Sequence, residues 1–210
     1  MPFFLKGKKM TRILPLKRED HPDLDEKFFK PYEESRGYVP NSNLVMARKP
    51  KVLEAFRNLN AAIFDPDNSV PAGLLALVGN IASQAAGCRY CVAHTANNAG
   101  VRGVAADKVA ALWDYERSDL FTEAERAALR FAQAAASVPN MVSDEDAAAV
   151  IEHFGEDGAT EILAVVSWYG LLNRWNDSLA TELEEVAFDK ASETLADTDW
   201  DAGKHRPKTR

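Results

Sequence analysis

Apolar residues recur at helical spacing along almost the whole chain, and no segment sustains a period-two alternation long enough to make a strand. The spacing predicts an all-α fold, with helices over about 24–35, 50–63, 71–86, 88–99, 104–115, 123–137, 144–154 and 158–185. Several boundaries carry a chemical signature. Thr122 with Glu125 and Ser143 with Asp146 read as capping boxes, Pro50 and Pro71 suit first-turn positions, and Pro31 disturbs the first helix.

With 210 residues, 46% of them hydrophobic, the chain can bury one sizeable core. Residues 1–36 read as an arm and first helix, 37–186 as the helical domain, and 187–210 as a polar tail without a periodic apolar face, expected to be poorly ordered. Val39-Pro40-Asn41 and Val138-Pro139-Asn140 each precede a helix ending near a phenylalanine, Phe56 and Phe154, and a long apolar helix follows each. That echo is compatible with a duplicated helical unit.

The net charge of −7 comes from acids scattered among bases, so no basic stripe is available for a nucleic-acid backbone. The apolar start is interrupted by lysines and lacks the run of a secretory signal, and no stretch reads as a membrane span. A cytoplasmic protein with no membrane and no nucleic-acid partner is expected. No GxGxxG follows a strand, so no nucleotide cofactor is indicated.

The two cysteines both lie in Gly87-Cys88-Arg89-Tyr90-Cys91-Val92-Ala93-His94. A lone CxxC in a chain of this kind points to thiol redox chemistry or a metal rather than to a scaffold of disulfides. Gly87 reads as a helix stop, so the cysteines fall in the first turn of the next helix, where free N–H groups and the helix dipole favour a thiolate. Residues three apart share a face, so the pair can close a disulfide, and His94 stands one turn beyond Cys91 as base or hydrogen-bond partner. Such a set can attack a peroxide bond and condense the sulfenic acid to a disulfide, or simply exchange disulfides. The residues alone leave the order of attack open.

Other readings compete. A buried structural CxxC needs no chemistry. A zinc site lacks a fourth ligand, because His21, His153 and His205 show no paired spacing with another ligand, and covalent haem needs CxxCH where Val92 stands. No metal and no cofactor are therefore expected.

The segment Ala86–Thr95 resembles the thiol motif of alkylhydroperoxidase D-like proteins of the carboxymuconolactone decarboxylase superfamily. Gly37-Tyr38-Val39-Pro40-Asn41 is similar to that family's opening segment, and Leu171-Leu172-Asn173-Arg174-Trp175-Asn176-Asp177 to a segment of its peroxidase-related members. The resemblance covers about 37–186 and implies an alkylhydroperoxidase D-like helical bundle that assembles as a homo-oligomer. It implies Cys91 as the attacking thiol, Cys88 as the resolving thiol and His94 as proton-transfer partner. The implied substrate is a hydroperoxide or disulfide, and the implied reductant an external dithiol such as a lipoyl domain or small thiol protein. A decarboxylase-like lyase and a redox sensor without turnover are the alternatives.

The chain departs from the family pattern in two places. Cys91 and His94 are separated by Val92 and Ala93 only, and Ala76 stands where the family has a glutamate. Asn80, with Ser83 and Gln84, is the polar group expected to hold a water near the thiols. Tyr90 and Trp175 are candidates for a substrate pocket or relay; Trp168, Tyr169 and Trp175 read first as packing between helices or subunits, with the wall of an apolar pocket beside the thiols as the alternative. Arg174 and Asp177 read as an intrahelical ion pair, His153 as a helix-end cation, and the acids of 181–185 as a solvated helix end.

Overall fold

A computed structural model describes residues 11–208, and these are helical, with no strand among them. The expected arm over 1–10 lies outside the described residues. The long helices are α4 (Pro50–Ile63), α5 (Ala72–Ala85), α6 (Arg89–Val101), α8 (Glu123–Ala136) and α9 (Asp144–Leu179). Shorter ones are α1 (Pro22–Leu24), α2 (Lys30–Arg36), α3 (Asn41–Met46), α7 (Ala106–Ala110) and α10 (Glu185–Thr194). Both expected capping boxes form, Thr122 with Glu125 and Ser143 with Asp146. Pro50 opens α4 from within its first turn, whereas Pro71 is the N-cap residue of α5.

Helix α5 is the hub. Every residue from Leu74 to Ser83 is buried, as expected of a helix that is apolar all round, and it packs against α6, α8 and α9. Gly79 permits the closest of these approaches, since a Cβ there would meet the Tyr169 ring at 2.3 Å. A second, smaller cluster joins Phe28 and Phe29 to Met46 and Leu53, with Trp175 against it, and ties the N-terminal helices to α4 and α9. Between α1 and α2 the chain makes a π turn over Asp25–Phe29, with the Lys30 N–H reaching the Asp25 carbonyl just before Pro31. The disturbance expected at Pro31 is thus a widened turn ahead of it.

Helix α9 breaks at Gly155 (φ 69°), between the two helices that the sequence suggested. It stops at Leu179 instead of continuing to 185, because Ala180 adopts a left-handed conformation (φ 49°). Residues 181–184 then run extended, and α10 carries Ala187, Phe188 and Ala191 into the core beside α6. The Leu183 N–H bonds the His205 carbonyl at 2.8 Å, so the chain end folds back over this segment. The segment expected to be a loose tail is therefore packed as far as it is described. Its few apolar residues, Leu195 and Ala202 included, are spaced to fill gaps rather than to make a stripe.

Candidate active site

The end of α5 and the start of α6 are one continuous device. Gly87 takes the left-handed conformation (φ 71°), its N–H bonds the Gln84 carbonyl, and the Cys88 N–H bonds the Ser83 carbonyl, each at 3.0 Å. These are the paired bonds of a glycine-terminated helix end. Cys88 is therefore both the last residue of that stop and the N-cap of α6, one position earlier than the sequence suggested, while Cys91 lies within the first turn.

Both thiols are free and buried. They form a hydrogen-bonded pair with unequal surroundings. The Cys88 thiol is held below its ordinary range, first by the hydrogen bond from Cys91 and then by the backbone N–H groups of Cys91 and Tyr90 at the helix start. Burial pushes the Cys91 thiol well up, although the Asn176 Nδ2 donates to its sulfur at 3.6 Å. Of the two thiols, Cys88 is therefore the one that ionises first.

His94 is held by two partners at its two ring nitrogens. Nε2 faces Glu184 Oε2 at 2.8 Å, and Nδ1 faces the Tyr38 hydroxyl at 3.1 Å. With a carboxylate on Nε2, that nitrogen carries the proton and Nδ1 accepts from Tyr38. The Glu184 carboxylate also accepts from the Tyr90 hydroxyl at 2.9 Å and from the Asn41 N–H, at the start of α3, at 2.5 Å. Burial, then the Glu184 charge, pushes the Tyr90 phenol well above its usual range, so Tyr90 stays a donor.

Glu184 is the residue that sequence reasoning misread. It is the N-cap residue of α10, its side chain is only 10% exposed, and it supplies the carboxylate that Ala76 does not. Nothing in the local spacing marks it, because the turn at Ala180 that swings it onto His94 has no glycine to announce it.

Cys91, His94 and Tyr90 line one cavity of about 80 Å³, walled by Phe56, Trp168, Tyr169 and Leu172, with Arg57 and Arg102 among the residues around it. Phe56 and Trp168 stack with ring centroids 4.2 Å apart. Ala76 and Asn176 also line it, whereas Asn80, Ser83 and Trp175 do not. Asn80 Nδ2 donates to the Val92 carbonyl and its Oδ1 accepts from Gln84, while Ser83 donates to the Gly79 carbonyl. These bonds brace α5 and α6 and turn the polar groups away from the cavity. Trp175 belongs to the cluster around Phe28 and Met46. Asn176, which contacts the sulfur, lay inside the segment quoted for the resemblance but was not singled out.

Cys88 is not among the residues lining the cavity. On its side, ligand-type atoms of Cys88, Asp177 and His205 lie within 4.8 Å of one another. Lys204 Nζ is 2.7 Å from Asp177 Oδ1, so a cationic group already neutralises the carboxylate that a metal would need. Arg174 donates to the Gly170 carbonyl at 3.1 Å, and Asp177 pairs with Lys204 rather than with Arg174, because the chain end folds back over α9. His205, which showed no ligand spacing in the sequence, is brought here by that same fold-back.

Comparison with known proteins agrees with this architecture. Residues 50–134 match the model of the carboxymuconolactone decarboxylase family. The chain is 33% identical over 92 residues to the uncharacterized protein YnjA of Escherichia coli K12, a match spanning 44% of this chain and half of that protein. The debrominase Bmp8 is 34% identical, with a TM-score of 0.80 covering 89% of this chain and all of that one. A Bmp8 variant with alanine in place of a cysteine, in complex with 2,3,4-tribromopyrrole, fits equally well. The alkylhydroperoxidase AhpD core of Ralstonia eutropha JMP134, an uncharacterized peroxidase-related protein, shares the fold at 23% identity and a TM-score of 0.74, over 87% of this chain and 96% of that one. No helix among the described residues is long and apolar enough to cross a membrane.

Proposed function

Since the chain belongs to the carboxymuconolactone decarboxylase superfamily and has the alkylhydroperoxidase D-like fold, we propose that it is a thiol-dependent reductase acting on hydroperoxides. The observation that carries this reading is the division of the thiol pair. Cys91 opens on the cavity beside His94, and Cys88 lies hydrogen-bonded behind it.

Transfer of the shared proton from Cys91 to Cys88 leaves a Cys91 thiolate facing the substrate. That thiolate attacks the peroxide, an S–O bond forms as the O–O bond breaks, and the departing alkoxide takes a proton from His94 in its imidazolium form, which the Glu184 carboxylate stabilises and which leaves the neutral imidazole behind. Cys88 then displaces hydroxide from the Cys91 sulfenic acid, giving the Cys88–Cys91 disulfide and, after protonation, water. An external dithiol reopens the disulfide by exchange. Over a cycle, two thiols and one hydroperoxide become a disulfide, an alcohol and water.

A second reading is reductive removal of bromine from an aromatic ring. It is favoured by the likeness to the debrominase Bmp8 and by the Phe56 and Trp168 walls of the cavity. In that reaction Cys91 takes the bromine, the ring carbon takes a proton, and Cys88 displaces bromide with formation of the same disulfide. Steady-state assays with a dithiol reductant separate the two. Consumption of alkyl hydroperoxide that vanishes in Cys91→Ser supports the first reading, and bromide release from a bromopyrrole with no peroxide consumption supports the second. Equal activity in both cysteine variants would sink both.

A further inference from the structure

We propose that His205 is the proton acceptor for Cys88, so that the site has a second acid–base unit, Cys88–His205–Asp177, serving the resolving thiol. The proposal deepens the thiol mechanism above and rests on it. The His205 side chain is 1% exposed. Its Nδ1 lies 2.7 Å from the Thr181 carbonyl, which can only accept, so Nδ1 carries the proton and Nε2 carries a lone pair. Nε2 is buried and has no hydrogen-bond partner. A buried imidazole lone pair without a donor is costly unless it has a use.

The Cys88 thiol is a proton source close to that imidazole. A ring nitrogen of His205, Cys88 Sγ and a carboxylate oxygen of Asp177 lie within 4.8 Å of one another, and Nε2 is 3.6 Å from Asp177 Oδ1. This is within reach of a proton transfer made through one water or a small side-chain rotation. The cavity mechanism creates the need, because Cys88 becomes a thiol when Cys91 becomes a thiolate and must lose that proton before it can attack the sulfenic acid. His94 serves the other side of the pair, since Tyr38 and Glu184 hold it against the cavity, which Cys88 does not line.

His205 takes the Cys88 proton, Asp177 stabilises the imidazolium so formed, and the Cys88 thiolate closes the S–S bond as the S–O bond breaks. When the reductant attacks Cys91 from the cavity, Cys88 departs as a thiolate and the imidazolium returns the proton. The ionisable groups facing His205 are Cys88 and Tyr90 from α6, Asp177 from α9, and Lys204 beside it, and burial keeps the imidazole neutral at rest. A metal in the same place would compete with Lys204 for Asp177.

The test follows one turnover of the full chain with equimolar hydrogen peroxide, timing sulfenic acid formation on Cys91 by dione trapping and its conversion to disulfide by intact mass. In His205→Gln, formation is expected to be unchanged while conversion slows roughly 100-fold and loses the pH inflection that falls below the ordinary imidazole value of 6.5. Asp177→Asn, which keeps the volume, should move that inflection to lower pH. Equal conversion in all three proteins, or equal slowing of both steps, would overturn the proposal, as would stoichiometric zinc in the wild-type protein that both variants lose. Absence of any sulfenic acid in the wild type would overturn the peroxidase reading instead. The ultraviolet titration of the Cys88 thiolate in Cys91→Ser, with and without His205→Gln, then tests His205 without turnover: an unchanged titration overturns its role.

Discussion

Glu184 Oε2 lies 2.8 Å from His94 Nε2, although the two residues belong to segments that no local pattern connects. The pair gives this chain the carboxylate–imidazole couple that its helix α5 lacks, since Ala76 offers only a methyl group to the cavity. It also fixes the imidazole, because the carboxylate that orients Nε2 is itself held by Tyr90 and Asn41.

Replacing that carboxylate separates its electrical role from its packing role. Glu184→Gln keeps the volume and can still accept from Tyr90, but it no longer stabilises a charged imidazole. Turnover should fall by about 100-fold or more with little change in folding. Glu184→Ala should in addition cost about 1–3 kcal/mol in stability by stranding the Tyr90 hydroxyl and the Asn41 N–H. Steady-state rates and urea unfolding of the two variants check this.

The close approach of α5 and α9 makes a prediction about packing alone. In Gly79→Ala the new methyl would meet Tyr169 at 2.3 Å, and the ring is too well packed to give way freely. A loss of about 1–3 kcal/mol is expected, read as a lower denaturation midpoint at unchanged slope.

Burial lowers the folded-state pKa of His205 below its ordinary value of 6.5. The unfolded chain then binds the proton first as pH falls. The stability tied to a neutral His205 is present above about pH 6.5 and is lost as pH drops through the lower folded-state value. Thermal unfolding measured downward from pH 7 should show this loss before carboxylates begin to protonate, and His205→Gln should remove it. An identical slope in the two proteins would contradict the assignment.

How much of this was legible in the sequence follows from how local each feature is. The helix boundaries at Thr122 and Ser143, the glycine stop at Gly87 and the thiol pair at the start of α6 are set by residues a turn apart, and the structure shows them with shifts of a residue or so. The left-handed turn at Ala180 and the descent of residues 183–205 across α6 and α9 are set by tertiary packing. Glu184, Asp177 and His205 acquired their partners through that packing, so a reading based on spacing gave Glu184 to solvent and paired Asp177 with Arg174. Asn80 and Ser83 bond neighbouring carbonyls for a related reason: on a helix buried on every side, a polar residue can turn to a carbonyl as readily as to a cavity.

The central claim is that Cys91 attacks and Cys88 resolves, and the most direct test asks which sulfur is oxidised first. Each cysteine-to-serine variant is treated with one equivalent of alkyl hydroperoxide in the presence of a sulfenic-acid-trapping dione, and the adduct is located by peptide mass. The account predicts an adduct on Cys91 in Cys88→Ser and almost none on Cys88 in Cys91→Ser. A rapid adduct on Cys88 in Cys91→Ser, with Cys91 unmodified in the other variant, would contradict it and reverse the roles of the two thiols.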